Sequence, residues 1–140
     1  TLGMHSWSHS YWYAFKTPNA VCNDIQRCQE LLREITGERV NLFRPPVGQL
    51  SPRTAAGAKR AGVIVVGWAI RSGDGVRTSP EKVLARIERR LADGAVILLH
   101  DAAERGGREP ASIAALPALL SMIKQRNLRC VPLSEWTESG

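Results

Sequence analysis

The three histidines are the residues best suited to chemistry. His5 and His9 bound the segment His5-Ser6-Trp7-Ser8-His9, four positions apart. On a helical turn that spacing puts both imidazoles on one face, where they can share a divalent cation. A zinc protease would carry Glu directly after the first His as its base; Ser6 stands there, which excludes that scheme. His100 follows the apolar run Val96-Ile97-Leu98-Leu99. With an ordinary pKa of about 6.5 it can give or take a proton near neutrality. Asp74 or Asp101 could orient it through its second ring nitrogen. Arg44 opens the run Arg44-Pro45-Pro46-Val47-Gly48, whose prolines stiffen the loop and fix where the guanidinium points. An Arg so held suits a carboxylate, the protein's own or a substrate's.

These residues need a frame. Thr17-Pro18, Ser51-Pro52 and Ser79-Pro80 each place a capping hydroxyl before a proline at the first helical position. After Pro18, Val21, Ile25, Cys28, Leu32 and Ile35 recur at helical spacing and Gly37 supplies the stop. A shorter Ala-rich helix runs from Pro52 to Gly62, and a third, carrying Val83, Leu84, Ile87 and Leu91, closes near Gly94. A fourth is expected around 111–126, kinked or delayed by Pro117. Between them lie continuous apolar runs at Val40–Phe43, Val63–Trp68, Ala95–Leu99 and Arg129–Leu133, which suit strands of a buried parallel sheet. Alternating strands and helices predict α/β architecture, doubly wound or barrel, with function at the strand ends. All three histidines fall at such ends or at the N-terminus.

Composition removes other classes. The chain has 140 residues, one domain's worth, with 44% hydrophobic and 23% charged residues, which excludes a disordered or fibrous protein. Its longest mainly apolar stretch, Ala61 to Ile70, is half of the roughly 20 residues a membrane helix needs. The net charge of +6 is spread over scattered Arg residues without interleaved aromatics, so no nucleic-acid partner is expected. Three cysteines without a CxxC pair give neither a disulfide framework nor a metal knuckle. The start, Thr1-Leu2-Gly3-Met4-His5, has no initiator Met and no targeting pattern, so a processed or truncated piece is expected.

Taken in order, the motifs resemble those of the polysaccharide deacetylase family, carbohydrate esterase family 4, with its NodB-homology domain. That family carries TFDDG, H-[ST]-x-x-H, R-x-x-P-[YF]-G, D-x-x-D-W and L-x-H. His5-Ser6-Trp7-Ser8-His9 matches the second and Arg44-Pro45-Pro46-Val47-Gly48 the third; Trp68 to Asp74 matches part of the fourth and Leu98-Leu99-His100-Asp101 the fifth. The resemblance spans nearly the whole chain.

The resemblance implies a distorted (β/α) barrel whose first βα unit or units are missing here. It assigns residues 1–136 to a partial catalytic domain and 137–140 to a tail. It implies a hydrolase that uses a divalent metal, usually zinc, to remove N-acetyl or O-acetyl groups from a polysaccharide or amino sugar. Its setting would be the cell envelope or secreted. His5 and His9 would bind the metal, Arg44 would tether the catalytic base, and the backbone N–H near Val47 would help hold the oxyanion. Asp74 would orient His100, the acid that protonates the leaving amine, while Leu98 would line the acetyl pocket and Trp68 the substrate side. TFDDG, which carries the base and the third metal ligand, would lie before Thr1. Val47 replaces an aromatic, Arg71 an Asp and Gly75 a Trp, all of which reshape the sugar groove. The alternative is a catalytically silent carbohydrate-binding relative.

Overall fold

The hydroxyl-proline pairs start helices as expected. In the computed structural model, which describes residues 1–102 and 107–137, α1 spans Pro18–Thr36, α2 Pro52–Ala61 and α3 Pro80–Glu88. Thr17, Ser51 and Ser79 each accept a backbone N–H three residues on. Gly37 and Gly62, at φ 75° and 68°, take the left-handed turn that ends α1 and α2. α3 stops at Glu88, short of Gly94, and Leu91 is buried beyond its end. α4 spans Ala111–Gln125 and contains Pro117, which therefore does not delay its start; a last turn, α5, covers Ser134–Thr137. No helix of the described residues is long and apolar enough to cross a membrane.

The strands are short: β1 Leu42–Phe43, β2 Ile64–Val65, β3 Ile70–Arg71 and β4 Ile97–Leu98. The residues gather into two compact units, Thr1–Gly67 and Trp68–Gly140. In the first, β1 pairs parallel with β2, and Met4 forms a parallel bridge to Phe43. Met4, Tyr13, Val21, Ile25, Phe43 and Ala58 make its core. A Cβ on Gly57 would lie 2.5 Å from Val21 Cβ, so glycine is what lets α2 press against α1. In the second unit β3 pairs parallel with β4, Ile70 beside Ile97 and Arg71 beside Leu98. Ile70, Val83, Ile87, Leu119 and Ile123 make its core against α3 and α4.

Two expectations need correction. The run Arg129–Leu133 forms no strand: Pro132 cannot donate to a ladder and Cys130 is exposed. Within the run Val63–Trp68 the strand is only Ile64–Val65, and a further strand, β3, follows outside it at Ile70–Arg71. Of the expected tail, residues 138–140 lie outside the described residues.

Candidate active site

The loop carrying His5 and His9 is not helical, contrary to the spacing argument. Ser6 and His9 sit at φ 75° and 41°, left-handed values no α-helix tolerates. The rings still meet, with centroids 5.0 Å apart at 66°. The His9 amide donates to Ser6 Oγ at 2.9 Å, closing the turn internally. From outside it is held by a residue that the sequence reading passed over. Asp24, buried on α1, accepts from the Trp7 amide at 3.0 Å, the Tyr13 hydroxyl at 3.2 Å and Lys16 Nζ at 3.1 Å. Burial alone would raise its pKa; hydrogen bonds from Ser8, Lys16 and the Trp7 amide outweigh that and hold it below the usual carboxylate range. The signal was present in the sequence, since Asp24 stands between Val21 and Ile25 on the apolar stripe.

His5 Nδ1 lies 2.8 Å from the Arg44 carbonyl. A carbonyl only accepts, so Nδ1 carries the proton and a neutral ring has its lone pair on Nε2. Two imidazoles sharing a tetrahedral ion at about 2.0–2.1 Å place their centroids roughly 5 Å apart. The separation of His5 and His9 matches that distance. Among the described residues no three His, Cys, Asp or Glu side chains gather closely enough to hold one alone.

Arg44 donates from Nε to the Val66 carbonyl at 3.3 Å and from a terminal nitrogen to Gly67 O at 3.2 Å. Burial lowers its pKa from the ordinary arginine value. Its amide donates to Met4 O at 2.8 Å, so the segment leading into His5 and the loop holding Arg44 are tied by backbone as well. Val47, in the 3-10 turn Pro46–Gly48, has φ 55°. A β-branched residue pays a steric penalty there, and such strain collects at functional loops. Its side chain is half exposed.

In the second unit Asp74 is buried and His100 comes to it. Asp74 Oδ1 lies 2.9 Å from His100 Nδ1, and Oδ2 accepts the His100 amide at 2.7 Å. The single Ser72 proton serves two acceptors, Asp74 Oδ1 at 2.6 Å and Leu98 O at 2.7 Å. Ser112 donates to the His100 carbonyl at 3.0 Å. Against burial, which raises it, hydrogen bonds from Ser112, Ser72 and His100 pull the Asp74 pKa down to about 2. An ionised Asp74 fixes the proton of neutral His100 on Nδ1 and leaves Nε2 as its proton-exchanging atom. Asp101 is exposed at the strand end, so of the two candidate partners Asp74 makes the contact. Leu98 is half-buried on β4 and Trp68 half-buried before β3. Ile70 and Ile97 face the helices, so Arg71 and Leu98 lie on the opposite face of the pair. A Cβ on Gly75 would come within 3.0 Å of the His100 ring, so this position is occupied by the imidazole itself.

Residues 1–66 match the family model described as polysaccharide deacetylase. A peptidoglycan-N-acetylglucosamine deacetylase of Bacillus cereus is 30% identical over 136 residues, 89% of this chain and 47% of that protein. The chain belongs to the polysaccharide deacetylase family. Its fold is the α/β, (β/α)-barrel class of family 4 carbohydrate esterases. The acetyl xylan esterase of Clostridium thermocellum, solved with a cobalt ion, superposes at a TM-score of 0.81 with 27% identity, over 95% of this chain and 62% of that one. A family 4 pseudoenzyme from Bacillus anthracis gives 0.79 with 20% identity, over 91% and 42%. This deacetylase-family chain spans less than half the length of the curated relatives it matches.

Proposed function

We propose that this chain supplies catalytic residues for a metal-dependent deacetylase acting on N-acetylated sugars of a cell-envelope polysaccharide, zinc being the cation best suited to its imidazole ligands. The observation that carries the reading is the Asp74–His100 pair: a fixed tautomer on an ionised, buried carboxylate.

When bound, a divalent cation supplies Lewis acidity toward the acetyl carbonyl and a water. His5 and His9 hold it, with the His5 ring aimed by the Arg44 carbonyl. Arg44 orients the carboxylate that serves as base, and the Val47 N–H donates to the oxygen that gains charge. Leu98 packs against the acetyl methyl and Trp68 lines the sugar. His100, held through Nδ1, takes a proton on Nε2 and as the imidazolium passes it to the departing amine, because an unprotonated amide nitrogen is a poor leaving group.

One competing reading is a silent carbohydrate binder. Acetate release decides between them. The product of the complete gene, given N-acetylglucosamine oligomers and peptidoglycan fragments, is expected to release acetate, and a chelator to abolish it. Oligosaccharide binding without acetate release would leave the binder.

A further inference from the structure

Five of the eight aromatic residues stand between positions 7 and 15. Tyr13 is fully buried and anchors the segment, its ring tilted against Phe43 and its hydroxyl on Asp24. Its neighbours turn outward: Trp12 is 72% and Phe15 67% exposed, their rings 5.9 Å apart. Such exposure of two large rings is unusual for a surface that meets only water.

The backbone beneath them is clamped. The Ala14 amide donates to Gln49 Oε1 at 3.4 Å, Ser51 Oγ donates to Ala14 O at 2.9 Å, and Arg53 donates to the Phe15 carbonyl at 3.4 Å. Toward the other end, the His9 ring contacts Tyr11 at 6.2 Å and His5 at 5.0 Å. The aromatic strip therefore runs on from the imidazole pair.

We propose that Trp12 and Phe15 are a stacking platform for a pyranose ring of the polymer, flanking the unit that presents its acetyl group to the imidazole pair; this rests on the polysaccharide substrate proposed above. Three observations favour a sugar as occupant. A sugar's C–H faces pack on rings while its hydroxyls need polar neighbours, and Ser8, Ser10 and Lys16 are interleaved along the strip. The platform is continuous with the candidate active site, where a polymer must lie to be processed. Four exposed rings in this segment offer on the order of 450 Å², well short of the roughly 800 Å² per partner in a stable protein interface.

The test uses the 140-residue chain and a β-1,4-linked N-acetylglucosamine hexasaccharide, read by tryptophan emission and by the indole resonances of each Trp. The Trp12 indole is expected to shift on titration. Trp12→Ala and Phe15→Ala, whose side chains lie outside the core, should each weaken binding about three- to tenfold, and Trp136→Ala should leave it unchanged. The fully deacetylated hexasaccharide should show the same dependence on Trp12, since ring faces rather than acetyl groups make the contact. That result stands even if the complete protein releases no acetate, so failure of catalysis and failure of the platform are separable. Absence of binding, equal binding by wild-type and Trp12→Ala chains, or a dimer in sedimentation that Trp12→Ala dissociates would each overturn the proposal.

Discussion

Asp74 accepts two hydrogen bonds from one residue, His100, through the amide at 2.7 Å and ring Nδ1 at 2.9 Å. The first fixes where the strand end turns and the second fixes the imidazole upon it. Backbone and side chain are thus positioned by one carboxylate, which removes the freedom a proton donor would otherwise lose on binding substrate.

In the complete protein, His100→Ala is expected to lower kcat by about 10²–10⁴ with metal content unchanged. Elemental analysis beside steady-state kinetics checks this. Loss of metal would make His100 a ligand and end its assignment as the acid.

Asp74 also links stability to acidity. Its folded pKa of about 2 lies below the ordinary carboxylate value, so its contribution is complete above about pH 4 and is lost as the pH falls through about 2. The shift corresponds to roughly 2 kcal/mol. Urea unfolding at pH 5 and pH 2.5 should show the gap between wild type and Asp74→Asn narrowing at the lower pH. A constant gap would contradict it.

Replacing Asp24 takes the acceptor from the Trp7 amide and the Tyr13 hydroxyl and one of the two acceptors from Lys16. Asp24→Ala should cost about 3 kcal/mol in denaturant unfolding. It should also weaken metal binding by the imidazole pair about 10- to 100-fold in a chelator competition, though Asp24 is no ligand. Unaltered affinity would show that the loop holds its shape without it.

Val47 gives a prediction of opposite sign. At φ 55° its side chain costs about 1–3 kcal/mol, and glycine gives back about 0.5–1 through its freer unfolded chain. Val47→Gly should therefore raise the unfolding free energy by up to about 2 kcal/mol, read as a higher urea midpoint at unchanged slope. A lowered midpoint would mean that the turn is relaxed around valine.

Much of this was written locally. Thr17-Pro18, Ser51-Pro52 and Ser79-Pro80 announce their helices because cap and first-turn geometry depend on neighbours in sequence. The motifs around His5, Arg44 and His100 named the family because residue type and order survive without coordinates. What sequence did not show was long-range or conformational. The His5–His9 spacing suggested a helix, yet positive φ at Ser6 and His9 brings the rings together by another route. β3 at Ile70–Arg71 lies past the run that marks β2 and was not expected, because partnership with β4, not composition, makes it a strand. Arg129–Leu133 had the apolar content of a strand but, with Pro132 inside it, no ladder to join. Asp24 was overlooked because its partners come from a loop 8 to 17 positions away.

The hydrogen bond from His5 Nδ1 to the Arg44 carbonyl has a consequence for engineering. It joins two segments 39 positions apart into one mechanical part: the turn 44–48 is the rest on which the first imidazole leans. A chimera that takes residues 5–9 from one relative and 44–48 from another inherits both sets of side chains but not their mutual alignment. These two stretches should be exchanged together or left alone.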